Sequence, residues 1–255
     1  MTATPPSAAR RSAVERPIPQ APPVMRATRS VNRGMRSPFS VFIQHVLDRF
    51  DPTIVDMDPR ILRSRRNLAD AILRLSADRP ADQITAAEVA AESGVNRSTF
   101  YQHARNPADL LAAVLRTELD DLRERHLSRL PQDATSDEVT AAIGTVTLGV
   151  FEHIDKHADV YRHGLGPDSA GASLHAMLGT HFQESVLWLL DRHNVELPEH
   201  DGTGMPAAVA SRYIAYGTVG AIEAWLTDED RTVEGFLTDF SLLVPPWWPA
   251  SAATV

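Results

Sequence analysis

The sequence predicts an all-α protein, and three observations carry that reading. Ala and Leu recur at helical spacing along most of the chain. Apolar β-branched runs of strand length are almost absent. Glycine is scarce, 13 of 255 residues. At that length, and 43% hydrophobic, the chain can bury one large core or two modest ones. The absence of Cys excludes disulfides and thiolate metal sites and fits a reducing cytoplasm. No apolar run approaches the roughly 20 residues that span a bilayer, so no membrane part is expected. The Arg-bearing N-terminus has no apolar stretch behind it, which argues against a secretory signal.

The net charge of −8 hides an asymmetry. Residues 1–40 carry +6, residues 41–57 carry −2, residues 58–106 carry +2 and residues 107–255 carry −14. An acidic C-terminal body repels DNA, so any nucleic-acid contact belongs to the N-terminal half. Nearly all the basic charge is Arg, with Lys156 the only Lys. Arg grips phosphate as a bidentate fork, but so lopsided a ratio is more simply the mark of a GC-rich genome.

Residues 1–57 read as a disordered Arg- and Pro-rich extension that has too few apolar residues for a core. Within it Phe39, Phe42, Ile43, Val46, Leu47 and Phe50 share one helical face, so a short helix is expected over 39–50. A helix follows from Pro59 to Ala77, with Asp58 as N-cap and Pro59 at its first position. Ile61, Leu68, Ile72 and Leu75 form its apolar stripe. Arg60, Arg63, Arg65 and Arg66 crowd its first two turns, against the macrodipole, which favours a polyanion as partner.

Two very short helices come next. Thr85-Ala86-Ala87-Glu88 is a capping box. Val89 and Ala90 face inward, Gly94 supplies the corner at positive φ, Val95 plugs it, and Asn96 caps a second helix whose large inward residue is Phe100. Small residue, corner glycine and two apolar pins make a helix-turn-helix. The outer face of the second helix carries Asn96, Arg97, Ser98, Thr99, Tyr101, Gln102 and His103. Seven residues cover roughly 10 Å, about three base pairs of major groove. Arg, Gln and Asn suit guanine and adenine edges, while Ser, Thr, Tyr and His suit phosphates. Arg60, Thr85 and Arg105 flank this set as further candidate DNA contacts. A solvated polar face is the plainer explanation for one helix alone, but not beside a complete corner. Asn106-Pro107-Ala108-Asp109 then starts a helix that Pro131 stops, over about 107–130.

With these residues in hand, the run from Arg60 through T-AAEVA-ESGVNRSTFYQH to Asp109-Leu110-Leu111 resembles the tetracycline-repressor family of bacterial transcriptional regulators, over about residues 59–112. Gly94-Val95, Thr99-Phe100-Tyr101 and His103 are its specific part. YIAYGTVGAIEAWL, Tyr213–Leu226, resembles a late helix in one branch of the family's C-terminal domain. Two positions depart from the family. Ala104 stands where Phe is usual, and Pro107 where a Lys contacts phosphate. The resemblance implies an all-α homodimer: a three-helix DNA-binding domain, here 58–106, and a helical domain, here 107–245, that binds a small effector or serves dimerisation. Residues 246–255 remain as a tail.

In the acidic body the pattern predicts helices over 136–157, 169–193, 206–226 and 232–243, a turn holding Tyr161 and a loop at 202–204. Ala210, Gly217, Ala221 and Ala224 form a small-residue stripe suited to a partner subunit's helix. Phe151, Tyr161, His181, Phe182, Trp188, Tyr213 and Tyr216 are candidate linings of an effector cavity, although core packing is the commoner use of each alone. His153 and His157, four apart, have metal-ligand spacing, with His163 nearby but no evident third ligand, so neither metal nor cofactor is expected.

No phosphate loop, Gly-x-Ser-x-Gly or paired His-Glu motif is present, so no enzyme is expected. The expectation is a dimeric regulator on palindromic double-stranded DNA, most simply a repressor released by an unknown small molecule. The alternative is a ligand-independent coactivator or protein-interaction partner on the same fold.

Overall fold

A computed structural model describes residues 59–166, 169, 173–192 and 195–249. The expected extension with its helix over 39–50, and the Asp58 cap, lie outside the described residues. The elements are α1 (Pro59–Asp78), a 3-10 turn (Ala81–Gln83), α2 (Ala86–Ser93), α3 (Arg97–His103), α4 (Pro107–His126), α5 (Ser136–Lys156), α6 (Ala158–Leu165), α7 (Ser173–Arg192), β1 (Glu199–His200), β2 (Thr203–Gly204), α8 (Ala207–Leu226) and α9 (Val233–Leu243). The fold is all-α, with α1–α3 as an N-terminal helix-turn-helix head and α4–α9 as a helical body.

The caps explain where helices begin. Thr85 and Thr135 each close a full capping box, with Glu88 and Glu138. Asn96, Asn106 and Thr232 each accept a backbone N–H from the first turn they start. Such a cap is worth about 1 kcal/mol, a large share of what a helix of seven residues has to offer.

Several expectations shift. The residues around Tyr161 form the helix α6 rather than a turn, because Ala158, Val160 and Tyr161 bury one face of it. α4 ends at His126, four residues early, and Leu127 tucks into the core as its C-cap. The expected loop at 202–204 belongs to a two-residue antiparallel hairpin, with Asp201 at φ 51° and Gly202 at φ 71°. Ile61, placed on the buried stripe of α1, is 42% exposed; Leu68, Ala71, Ile72 and Ser76 are that helix's buried residues.

Head and body share one core. Leu68, Ile72, Val89 and Phe100 of the head are continuous with Leu110, Leu115, Phe151, Tyr161 and Ile222 of the body. α4 and α6 share this bridging: both pack on α1, and α4 also packs on α5 and α7. A second cluster gathers Leu127, Ile143, Val186, Leu189 and Ile214 around Trp248. Trp248, from the segment after α9, is buried, and the Thr140 hydroxyl donates to the Pro249 carbonyl at 3.2 Å.

Candidate DNA-reading face and effector cavity

The corner between α2 and α3 is built as its residues demand. Gly94 sits at φ 67°, ψ 22°, the left-handed C-cap conformation that a Cβ resists. Its N–H donates to the Ala91 carbonyl at 3.3 Å, and the Val95 N–H reaches the Ala90 carbonyl at 3.1 Å. Val89 and Phe100 are wholly buried and Ala90 nearly so. Asn67 of α1 donates to the Ser93 carbonyl at 3.1 Å, fastening the end of α2. An Arg74–Glu92 ion pair at 2.9 Å adds a surface tie. Glu88 has its pKa held below the ordinary carboxylate range by the Thr85 N–H and hydroxyl and by Arg79.

With Phe100 turned inward, Arg97, Ser98, Tyr101 and Gln102 fall on one outer face and are all exposed, Tyr101 by 52%. The Tyr101 ring stands edge-on to Phe100, centroids 5.3 Å apart, and remains half exposed. Thr99 and His103 are half-buried at the rim. Asn96 is exposed, but its side-chain oxygen is taken: it accepts from the Thr99 N–H at 2.8 Å, the Ser98 hydroxyl at 2.6 Å and the Thr99 hydroxyl at 3.0 Å. Asn96 is therefore first a cap, leaving only its amide N–H groups to face outward. Thr85 is similarly committed to its capping box, its hydroxyl donating to Glu88 at 2.7 Å. Arg60 and Arg105 are exposed on the first turn of α1 and between α3 and α4.

In the body, the seven candidate cavity residues part company. Phe151, His181 and Phe182 line a cavity of about 100 Å³ together with Val150, Leu189 and Phe240. The others lie elsewhere. Tyr161 is fully buried, its hydroxyl 3.0 Å from His153 Nε2. Trp188 is half-buried on the second core, under the Arg192 guanidinium at 5.6 Å. Tyr213 and Tyr216 sit on the outer face of α8, 65% and 37% exposed. Tyr216 lies flat against α7, where a Cβ on Gly179 would stand 2.7 Å from its ring.

The polar end of the cavity was not singled out from the sequence. Arg123 and Ser185 line it beside His181. Behind them, Asp120 receives His181 Nδ1 at 3.1 Å and Arg123 at 2.8 Å, and Arg116 bonds Glu184 at 2.5 Å. Burial works to raise the Asp120 pKa, but the hydrogen bond from His181 and the charges of Arg123 and Arg116 leave it lowered. Burial also lowers the His181 pKa despite Asp120. The i,i+4 and i,i+3 spacing of Arg116, Asp120 and Arg123 is visible in the sequence; their partners on α7 are not.

The small-residue stripe divides as well. Ala210 is buried within its own chain and Ala221 half-buried, while Gly217 and Ala224 face outward. The exposed face centres on Tyr213 and Gly220, about a sixth of a turn from the stripe at 100° per residue.

Residues 68–114 match the family model for bacterial regulatory proteins, tetR family. No curated protein matches the chain. Among solved structures, the chain is similar to a TetR transcriptional regulator from Streptococcus agalactiae 2603V, 17% identical over 72% of this chain and 95% of that one, TM-score 0.51. It is also similar to NalD of Pseudomonas aeruginosa, the secondary repressor of the MexAB-OprM multidrug efflux pump, 20% identical over 74% of this chain and 100% of that one, TM-score 0.50. These likenesses are of fold, and the matched residues contain the whole corner from Val89 to Phe100. Residues 68–114 therefore carry the helix-turn-helix of the tetR family of bacterial regulatory proteins, on an all-α fold like that of these two regulators.

Proposed function

We propose that the chain acts as a homodimeric repressor, released from a palindromic double-stranded operator by a small-molecule effector. The carrying observation is the outer face of α3, where Arg97, Ser98, Tyr101 and Gln102 project together from a helix pinned by Phe100. Arg97 and Gln102 suit base edges, and Tyr101 and the flanking Arg60 and Arg105 suit phosphates, which Ser98 would join on giving up its bond to Asn96. The proposed head spans 58–106 and the proposed effector and dimerisation domain 107–245. The test is binding to fragments selected from genomic DNA. Arg97→Ala with Tyr101→Ala is expected to abolish operator binding and leave the dimer intact; undiminished binding overturns the groove assignment.

Dimerisation is supported by the outer face of α8. Val209, Tyr213, Tyr216, Gly217, Gly220 and Ala224 follow one another at helical spacing, all exposed, and a Cβ at Gly217 or Gly220 would meet open space. Leu242 and Leu243 of α9 are 77% and 60% exposed. A partner's helix would cover such a face.

The effector reading rests on the cavity, with apolar walls and Arg123, His181 and Ser185 at one end. That lining suits a mainly apolar ligand with one acidic or strongly accepting group. Moving heads from 99:1 bound-competent to 1:99 requires a differential affinity of about 5.5 kcal/mol. A ligand-independent partner role on the same fold has one observation on its side. The cavity, about 100 Å³, is well under the roughly 300 Å³ at which ligand sites begin. A thermal-shift screen separates the two: ligands that raise the melting temperature and lose their effect in Arg123→Ala support the effector, and none doing so supports the partner role.

A further inference from the structure

We propose that Glu118, His153 and His157 form a binding site for a divalent transition metal of the zinc class, at the elbow where α4 meets the α5–α6 junction. The sequence offers a histidine pair at helical spacing and no third ligand. Packing supplies one from α4. Glu118 Oε2 lies 3.4 Å from His153 Nδ1 and 3.5 Å from His157 Nε2, and the three ligand atoms all lie within 4.8 Å of one another. Two ligands at metal bonds of about 2.1 Å in a tetrahedron stand about 3.4 Å apart. Two edges are thus already at metal-binding length with the side chains where they are.

The surroundings of each ligand atom suit a metal. His157 Nε2 is buried and makes no well-formed hydrogen bond: Glu118 Oε2 faces it at 3.5 Å, and a cation between the two would satisfy both. His153 is buried, with Nδ1 3.4 Å from Glu118 Oε2. Its other nitrogen is anchored: Nε2 stands 3.0 Å from the hydroxyl of fully buried Tyr161. With Nδ1 on a metal, Nε2–H donates to that oxygen, the outer hydrogen bond that fixes a ligating histidine's tautomer and ring angle. Lys156 opposes a cation here, but it is exposed and screened. His163, the neighbour suggested by sequence, faces the Ser76 carbonyl at 3.3 Å instead.

The donor set chooses the ion. Two imidazoles and one carboxylate suit Zn²⁺, Co²⁺ or Ni²⁺, whereas Ca²⁺ and Mg²⁺ prefer oxygen shells. Three protein ligands leave a fourth position for water. A metal there would rivet α4 to the elbow from which α6 runs onto α1, so this inference stands apart from the cavity.

Untagged full-length protein, stripped with chelator, is titrated with Co²⁺ and then Zn²⁺. The expected result is one Co²⁺ per chain with the visible absorption of a low-coordinate nitrogen–oxygen site, displaced by Zn²⁺. Glu118→Gln and His157→Gln, checked for fold by circular dichroism, are expected to weaken binding roughly 100-fold or more. Tyr161→Phe is expected to weaken it about 10-fold and shift the cobalt spectrum, since Tyr161 positions a ligand. His200→Gln, at an exposed histidine, leaves both unchanged. No cobalt absorption, or absorption undiminished in Glu118→Gln and His157→Gln, overturns the site. Should a variant fail to fold, hyperfine-shifted NMR of the wild-type cobalt complex decides: two imidazole N–H signals support the site, and none overturns it.

Discussion

The head and the body use the same helices and the same caps, yet their working parts are specified at different ranges. In the head, the residues that make the corner lie within a few positions of one another: Thr85 with Glu88, Gly94 with Ala90 and Ala91, Asn96 with Thr99. In the body, the residues around the cavity meet across the chain. Arg116 bonds Glu184 68 residues away, and His181 bonds Asp120 61 residues away. A DNA-reading surface needs a rigid, short-range shape presented outward. A cavity between helices needs side chains from distant segments, and can vary with every repacking of them. The difference teaches that the head's function is carried by local backbone chemistry and the body's by tertiary pairing.

Substitutions test that contrast in order of size. Phe100→Ala removes the fully buried pin of α3 and is expected to cost about 3–5 kcal/mol. Chemical denaturation followed by circular dichroism would show the loss; a cost under 1 kcal/mol would mean that the corner holds without its pin. Asp120→Asn leaves Arg123, Arg116 and His181 facing a neutral amide and is expected to cost about 2–3 kcal/mol. Its coupling to Glu184→Gln in a double-mutant cycle should be clearly non-zero, because both act through Arg116. Thr85→Ala and Thr135→Ala break capping boxes of the same geometry in head and body, and each should cost about 1 kcal/mol. Equal costs would place the contrast in tertiary pairing alone; unequal costs would extend it to local structure.

The smallest effect is one of pH. His181 has its pKa lowered by burial in the folded chain, while an unfolded histidine titrates near 6.5. As pH falls below about 6.5 the unfolded chain takes up a proton that the folded chain does not, so stability declines with acid in that window and is unaffected by this group above it. His181→Gln keeps a donor for Asp120 without the titration, and should flatten part of that decline in melting temperature between pH 7 and 5.

Much of the fold was legible because helix caps and apolar stripes are local. The bounds of α5, α8 and α9 follow from Thr135, Pro206 and Thr232. The outer face of α3, proposed to read DNA, is legible for the same reason: once Phe100 is inward, 100° per residue places Arg97, Ser98, Tyr101 and Gln102 outward. The helix around Tyr161 was missed because its burial depends on packing against α1 and α8, which no window of eight residues contains. Tyr213 and Tyr216 were misplaced because an aromatic residue at helical spacing looks the same whether it faces a cavity or the outside. Glu118 gave no signal as a neighbour of His153, since an acidic residue on an amphipathic helix ordinarily faces water.

The proposed function places α3 in the major groove from a twofold pair of heads. Methylation interference on a genomic fragment selected by the protein tests this most directly. The prediction is that methyl groups at guanine N7 block binding at two symmetric half-sites about one helical turn, roughly 34–36 Å, apart. Binding indifferent to N7 methylation, or dependent on a single unpaired site, would contradict it.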